Sequence, residues 1–226
     1  MQTTKIIEEI VSEIKKTIII DSQETNDGII TISTKSTGWL TINSKIEIDG
    51  KWFKVFGLTI NKTIKFKPLI TGSTITANSF TLSTIEYKHG TLKMTQNEVD
   101  ATSNKNNVFP LVWLQEPLIE RNKKDFDSMI DRESDLVIYF LDSADSSNWL
   151  TDDHYTNVIV PMQSMVNNFI GLIENNRLFT YDFDFNTRNL INVSVDGKQE
   201  NSIFDTNITG IELKLFAKIR KDLNCK

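Results

Sequence analysis

Short alternating runs between residues 22 and 95 constrain the fold of this 226-residue chain more than any other feature. Asp49-Gly50, between two of these runs, is typical of a tight hairpin turn, because both central positions of such a turn require a positive φ. The segment therefore predicts a small, all-β, barrel-like subdomain at residues 22–95. Five runs alternate apolar and polar side chains as half-buried strands do: IITIS (29–33), KIEID (45–49), WFKVF (52–56), TIKFK (63–67) and SFTLSTIE (79–86).

Two further segments have the periodicity of amphipathic helices. Apolar residues recur at three- and four-residue spacing from Tyr155 to Ile173, which predicts a long helix over 152–174. Pro161 is expected to kink this helix, because proline lacks a backbone donor. Each helix has one apolar stripe and must pack against a sheet or another helix. Near the start of the chain, five residues at this spacing predict a helix over 3–18, capped by Thr3 or Thr4: Ile6, Ile7, Ile10, Val11 and Ile14.

Apolar segments in the second half of the chain predict a second sheet. The polar residues 96–108 predict a linker before it. We expect an α+β fold, in which an antiparallel sheet packs on the N-terminal helix and the long kinked helix, with the β subdomain inserted. The expected units are an N-terminal helix at 1–21, the insert at 22–95 and an α/β domain at 96–226. The predicted strands of the second sheet are FPLVWLQEP (109–117), DLVIYFL (135–141), FTYDFDF (179–185), LINVSV (190–195) and TGIELKLFAKI (209–219).

Asp152, Asp153 and His154 are consecutive and form the densest cluster of metal-ligand side chains in the chain. They also begin the predicted long helix, with Thr151 at the N-cap position and both carboxylates in the first turn, where the helix dipole favours negative charge. Adjacent helical residues point about 100° apart, so the two carboxylates do not converge readily on one ion. The pattern favours a helix start over a metal or catalytic site.

Other candidate chemistry is equally weak. Asp182 and Asp184 share one face of a predicted strand, which favours a solvated strand face over a carboxylate pair. His89 lies in the β-rich insert, in the turn-like sequence EYKHGT. No Gly-rich phosphate loop and no G-x-S-x-G motif occur. We therefore predict no catalytic residue, no bound cofactor and no metal, and expect the protein not to be an enzyme.

Charge and cysteine content bound the partners. The formal net charge is −5 and the pI is about 5.2, which argues against sequence-specific nucleic-acid binding. No stretch approaches the ~20 apolar residues of a membrane span, so no membrane partner is expected and the protein is expected to be soluble. Cys225 is the single cysteine, which excludes an internal disulfide and fits a reducing compartment.

Exposed aromatic and basic side chains are the predicted subunit contacts. Trp39-Leu40 is expected at an outward loop tip, and one of Trp52 and Phe53 must face outward because side chains alternate along a strand. Trp113 lies inside an apolar run and is expected in the core. The charged stretch 118–134 is predicted to be a long exposed hairpin loop or arm. The predicted contact residues are Trp39, Leu40, Trp52, Phe53, Arg121, Lys123 and Lys124.

Four stretches carry a family resemblance: HGTLKMTQNEVD (89–100), NVFPLVWLQEPLIE (107–120), DLVIYFLDSADSSNWLTDDHYTNVIVPMQSMVNNFI (135–170) and IFDTNITGIELKL (203–215). In this order the chain resembles small structural proteins, head–tail connector or tail-completion components, of tailed phages that infect Bacteroides, including crAss-like phages. The similarity covers most of the chain.

The resemblance implies a virion protein at the head–tail junction, assembled in the bacterial cytoplasm. Its expected partners are further copies of itself in a closed ring, twelve-fold favoured and six-fold the alternative, together with the portal and neighbouring tail proteins. Such a ring would join portal to tail and line the DNA exit path.

Two alternative functions remain open from the sequence. The β subdomain could be a binding module for a host glycan or a virion partner, which outward aromatic side chains clustered in a groove would favour. Less favoured is a metal-dependent enzyme that uses Asp152, Asp153 and His154, or the pair Asp182 and Asp184.

Overall fold

The computed structural model describes residues 2–42, 44–83, 85–101, 109–124, 130–144, 149–180, 183–191 and 208–220. The fold is mixed α+β and is dominated by strands, so the coarse prediction of an α+β protein is confirmed. Strand residues make up 48% of the structure and helical residues 24%, which means that sheets rather than helices set the architecture. Within the described ranges, no helix is both long and apolar enough to cross a lipid bilayer.

The first helix is shorter than the apolar spacing predicts. Helix α1 (Thr3–Glu13) ends five residues before the predicted end at residue 18, and strand β1 (Lys16–Ile19) follows directly. The β-branched run in β1 accounts for the change, because such side chains favour a pleated strand over a helix. The predicted cap is also corrected. Gln2 occupies the N-cap position and its carbonyl accepts from the backbone of Lys5 and Ile6.

The insert is built on a five-stranded antiparallel sheet with the order β2-β3-β6-β5-β4. Asp49 and Gly50 have φ values of 54° and 70°, as the hairpin turn between β4 and β5 requires. Among the described residues no ladder joins β2 to β4, so the sheet is open and the barrel-like expectation is corrected. Its strands are β2 (Ser22–Asn26), β3 (Ile29–Ser33), β4 (Lys45–Ile48), β5 (Lys51–Thr59) and β6 (Thr63–Pro68).

The single strand predicted at 79–86 is divided between two sheets. Strand β7 (Ser79–Leu82) pairs with β1, so the chain enters and leaves the insert through one two-stranded ladder. Strand β8 (Glu86–Gly90) belongs to the larger sheet instead, which places it outside the insert although the predicted boundary was residue 95. Helix α2 (Leu92–Ala101) occupies the start of the predicted linker, and the rest of that linker lies outside the described residues.

The larger sheet has six strands, with the order β12-β13-β11-β9-β8 and with β10 also paired to β11. All its ladders are antiparallel except β8–β9, which is parallel and corrects the predicted antiparallel sheet. The connection from β8 to β9 contains α2, and a parallel pair needs a long crossover of this kind. The remaining strands are β9 (Leu111–Gln115), β10 (Ile119–Lys124), β11 (Ile130–Ser143), β12 (Asp184–Ile191) and β13 (Ile208–Ile219).

Three predicted segments of this sheet have different bounds in the structure. The stretch 118–134, predicted as a long exposed hairpin loop or arm, contains most of the β10–β11 ladder, in which Ile119 is opposite Asp135. Strand β12 replaces the predicted pair of strands at 179–185 and 190–195. Phe179 forms only an isolated bridge to Ile219. The predicted strand residues beyond Ile191 lie outside the described residues.

The long helix runs without interruption from residue 151 to residue 175, but its hydrogen bonding changes before the proline. Helix α3 (Thr151–His154) leads into a π-helical turn at Tyr155–Ile159, and α4 (Val160–Asn175) follows. Pro161 is the second residue of α4, and because it has no backbone donor it cannot continue the regular helical hydrogen bonding there. The backbone of Val160 donates to Tyr155, five residues earlier, so the predicted irregularity takes the form of a π turn.

One hydrophobic core joins α1, the long helix and the inner faces of both main sheets. In it, the rings of Phe140 on β11 and Phe169 on α4 meet edge to face at 5.5 Å. Trp113 is fully buried as predicted and stacks on Tyr139 at 4.7 Å, on the other face of the six-stranded sheet. The insert therefore shares its core with the rest of the chain and does not have a separate one.

Candidate functional site

A cleft of about 330 Å³ lies between the insert and the strand β9 region. Trp39 and Leu40, together with Phe109 and Pro110, contribute apolar walls, and Ser44 contributes a hydroxyl group. Trp39 and Leu40 are buried, with Trp39 only 3% exposed, so the prediction of an outward loop tip is wrong. Their side chains belong to the main hydrophobic core. The loop that carries them packs against β7, where Gly38 lies beside the side chain of Leu82.

Trp52 and Phe53 lie on opposite faces of β5, as the alternation predicts. Trp52 is 46% exposed at the mouth of the cleft, whereas Phe53 is fully buried against Phe66 and cannot be a surface contact. Trp52 is therefore the exposed indole of the cleft. The groove of several outward aromatic side chains that would favour a glycan-binding module does not form here, and that alternative stays a prediction.

The basic residues predicted on the arm lie on β10. Arg121 is exposed and its guanidinium lies 3.9 Å from the carboxylate of Asp135 on β11. At this distance and exposure the pair contributes little stability. Lys123 and Lys124 belong to β10, opposite Asp131 and Ile130, but their side chains lie outside the described part of the structure.

A basic face covers the outer side of the insert's sheet. Lys45 is directly opposite Lys54, and Lys54 is directly opposite Lys67, so three lysines form one row across β4, β5 and β6. Lys65 lies two residues before Lys67, on the same face of β6. We use the name basic face for these four lysines. The net charge of the whole chain concealed this face, although the alternation of lysine in IKFK (64–67) was a visible signal.

Beneath the cleft lies a buried polar junction that the sequence analysis missed. The hydroxyl of Thr41 donates to Asp142 Oδ2 at 2.9 Å and lies 2.9 Å from the hydroxyl of Ser44, which lines the cleft. Opposite Asp142 in the β11–β13 ladder is Thr209, whose hydroxyl lies 2.8 Å from His154 Nδ1. The junction thus links the insert, both central strands and the start of the long helix.

Asp142 is a buried carboxylate, and its described hydrogen-bond donors in this junction are uncharged. Its Oδ1 accepts from the backbone of Ser143 at 2.7 Å, and its Oδ2 accepts from Thr41. Burial raises the pKa of Asp142 to about 6, and the hydrogen bonds from Thr41 and Ser143 offset part of that effect. The group is enclosed in the fold, so the arrangement is suited to holding two parts of the chain together.

The Asp152–His154 cluster has the geometry of a helix start. The carboxylate of Asp153 accepts from the backbone of Leu150 at 2.8 Å, which is the reciprocal half of a capping box. Leu150, and not the predicted Thr151, holds the N-cap position. His154 is buried, with its ring edge against Trp149 at 5.4 Å.

The other titratable side chains named from the sequence are dispersed. His89 Nδ1 lies 3.2 Å from Glu116 in a second cleft of about 410 Å³. Asp184 is exposed on β12, and Asp182 lies outside the described residues. In the ranges that the structure describes, no group of three or more His, Cys, Asp or Glu side chains is arranged to hold a metal ion.

Comparison with known proteins leaves the family of this chain unassigned. No protein-family model matches the sequence, and no curated protein matches it. The geometry of the molecule therefore has to carry any functional proposal.

Proposed function

We propose that this chain is a structural subunit of a ring in the head–tail connector or tail of a tailed bacteriophage, where it joins portal to tail and lines the DNA exit path. The sequence resemblance raises this function first. Three of the four stretches that carry the resemblance contribute adjoining parts of one unit: β9, β11 with the long helix, and β13. The resemblance thus falls on the central strands and the helix that packs on them.

The single observation that carries the proposal is that, among the described residues, two strands far apart in the six-stranded sheet, β12 and β10, each pair with a neighbour on one side only. Strand β12 is exposed from Asp184 to Asn189, and within the described residues no strand pairs with its outer edge. On the other side of the sheet, β10 pairs only with β11 among the described strands. An edge strand offers a row of backbone donors and acceptors to another chain.

Two different edges of one sheet favour a head-to-tail contact between identical copies. If β12 of one copy adds to β10 of the next, the sheet continues from subunit to subunit. Such contacts are heterologous and close into a ring when the rotation between copies allows it. Phe185 and Ile119 are exposed on the two edges, so each edge also carries apolar surface that the contact would bury.

Oligomer mass and imaging test this proposal. We expect the purified chain, or its complex with a portal, to form closed rings, and images of virions to contain the chain in twelve or six copies around the tail axis. Phe185→Asp should dissociate the ring, because it places a charge in the edge contact. Phe56→Asp is the matched control, since Phe56 is exposed on the insert, away from both edges.

The proposal is overturned if the chain is monomeric at all concentrations and absent from virions. It is also overturned if Phe185→Asp and Phe56→Asp have the same effect on the mass of the assembly. Circular dichroism of both variants separates loss of contact from loss of fold.

A further inference from the structure

Like charges lie close together on the basic face, and their repulsion does not stabilise the fold. Lys45, Lys54 and Lys67 stand directly opposite one another on adjacent strands, where Cβ atoms are about 5 Å apart and like charges destabilise the sheet. Glu47 is the only acidic residue in β4, β5 and β6. Lys65 and Lys67 are exposed, so their charges face solvent. An arrangement of this kind is stabilised when a polyanion covers it.

Exposed aromatic rings accompany these lysines. Trp52 lies on the same face of β5 as Lys54, directly opposite Glu47, and is 46% exposed. A register shift between Val55 and Gly57 leaves Phe56 as an extra residue, and its ring is 58% exposed.

Gly57 brings the basic and aromatic groups close together. A Cβ at this glycine would lie 3.4 Å from the side chain of Lys65, so the lysine stem extends over the bare backbone beside Phe56. The result is a sheet surface on which lysines from three strands surround two exposed aromatic rings on β5.

We propose that the basic face binds single-stranded nucleic acid, with the lysines on successive phosphates and with bases stacked on Trp52 and Phe56. Sequence-tolerant binding of single strands uses two kinds of contact. Lysine side chains bind the phosphates of the nucleic-acid backbone, and the bases stack on aromatic side chains of a sheet. The aromatic rings favour a single strand over a duplex, because the bases of a duplex are stacked inside and cannot reach them. The cleft of about 330 Å³ opens beside Trp52 and gives a displaced base room at the end of the lysine row.

Fluorescence anisotropy of a labelled oligothymidylate of about 20 nucleotides tests the proposal with the full chain. We expect binding that weakens with salt, with a slope of log K against log salt of about −2 to −3 for three to four neutralised phosphates. The triple variant Lys54→Glu, Lys65→Glu, Lys67→Glu should lose about tenfold or more in affinity. Trp52→Ala should weaken binding of the single strand by about tenfold and leave duplex binding nearly unchanged.

A matched triple variant controls for total charge. Lys5→Glu, Lys15→Glu and Lys93→Glu make the same change in formal charge at exposed lysines outside the insert, and this variant should bind nearly as well as the parent chain. Equal losses in the two triple variants overturn the proposal, as does the absence of binding at low salt. Competition by polyglutamate as effective as that by oligothymidylate also overturns it, because the face would then recognise charge alone. All the substituted side chains are partly or fully exposed, and circular dichroism checks that each variant is folded.

Discussion

Thr41 donates a hydrogen bond of 2.9 Å to the carboxylate of Asp142, which is 101 residues further along the chain. Thr41 belongs to the loop between β3 and β4 of the insert and Asp142 to the central strand β11, so this bond joins the insert to the larger sheet. Both residues are buried. The bond therefore adds a buried polar contact, through one carboxyl group, to the hydrophobic core that the insert shares with the larger sheet.

Stability should fall as the pH rises from about 4 to about 6, because of Asp142. Its pKa is about 6 in the folded protein, against an ordinary value of 3.8, so in this interval the folded chain holds a proton that the unfolded chain has released. The unfolded state then binds fewer protons, which lowers the free energy of unfolding as pH rises, by about 3 kcal/mol for two pKa units. Asp142→Asn should remove this dependence and stabilise the protein at neutral pH. Urea unfolding measured from pH 4 to pH 7.5 checks both statements.

Asp49→Asn is the control for that measurement, because the pKa of Asp49 is shifted in the opposite direction to that of Asp142. Hydrogen bonds from Thr76 and from the backbone of Ala77 lower the pKa of Asp49. The carboxylate of Asp49 therefore contributes to the free energy of unfolding above its ordinary pKa, and this contribution is lost as the pH falls. Asp49→Asn should reduce stability at neutral pH. If both asparagine variants change the pH profile in the same direction, the assignment to Asp142 is wrong.

Lys54→Glu should stabilise the protein. The substitution places a carboxylate between Lys45 and Lys67, which turns two repulsive cross-strand pairs into attractive ones. Each such pair contributes a few tenths of a kcal/mol up to about 1 kcal/mol. The gain should decrease at high salt, since exposed charges are screened. Thermal unfolding at two salt concentrations measures it, with Lys62→Glu in the neighbouring turn as control; an equal gain there would rule out the cross-strand explanation.

Phe169→Ala should destabilise the protein far more than Asp153→Asn. Phe169 is fully buried and its ring packs on Phe140, so truncation leaves a cavity that costs about 3–5 kcal/mol. In Asp153→Asn the side-chain oxygen can still accept from Leu150, so the expected loss is a few tenths of a kcal/mol up to about 1 kcal/mol. Chemical denaturation of the two variants makes the comparison. A larger loss for Asp153→Asn would contradict its role as a helix-start residue.

Gly210→Ala should destabilise the protein or prevent folding, whereas Gly171→Ala should stabilise it. A Cβ at Gly210 would lie 2.1 Å from the carbonyl oxygen of Phe140 on the neighbouring strand, and backbone cannot move away without breaking the ladder. Gly171 is in the interior of α4 with no atom within 4 Å of the added Cβ. Alanine there should gain about 0.5–1 kcal/mol. Melting temperatures of the two variants test the contrast.

Local periodicity predicted most elements of the fold but not the bounds that depend on a partner. The helical spacing of Ile6 to Ile14 extends past the end of α1, because it records only which side chains are apolar. The chain leaves the helix where Lys16–Ile19 can pair with Ser79–Leu82, a partner strand far along the chain. In the same way, Glu86–Gly90 became a parallel strand because it lies beside β9 in the assembled sheet.

The residues of the candidate site show the same difference between local patterns and tertiary contacts. The opposite orientations of Trp52 and Phe53 were predicted correctly, since alternation along one strand decides them, but the sequence did not indicate which of the two faces outward. The burial of Trp39 was not predicted, because loop residues have no periodicity and their burial depends on what packs over them. Asp142 follows an apolar run in the sequence and has no local signal of its own.

The sequence by itself determined which segments have one apolar face and where tight turns and helix starts lie, because these properties depend on neighbours within a few residues. Only the tertiary structure decided that three lysines stand in one row and that Asp142 is enclosed beneath Thr41. Strand register aligns residues from separate segments, and desolvation of a carboxylate requires atoms from every side. Both are long-range properties, so a local pattern can mark a lysine or an aspartate but cannot place it in a row across strands or in an enclosed site.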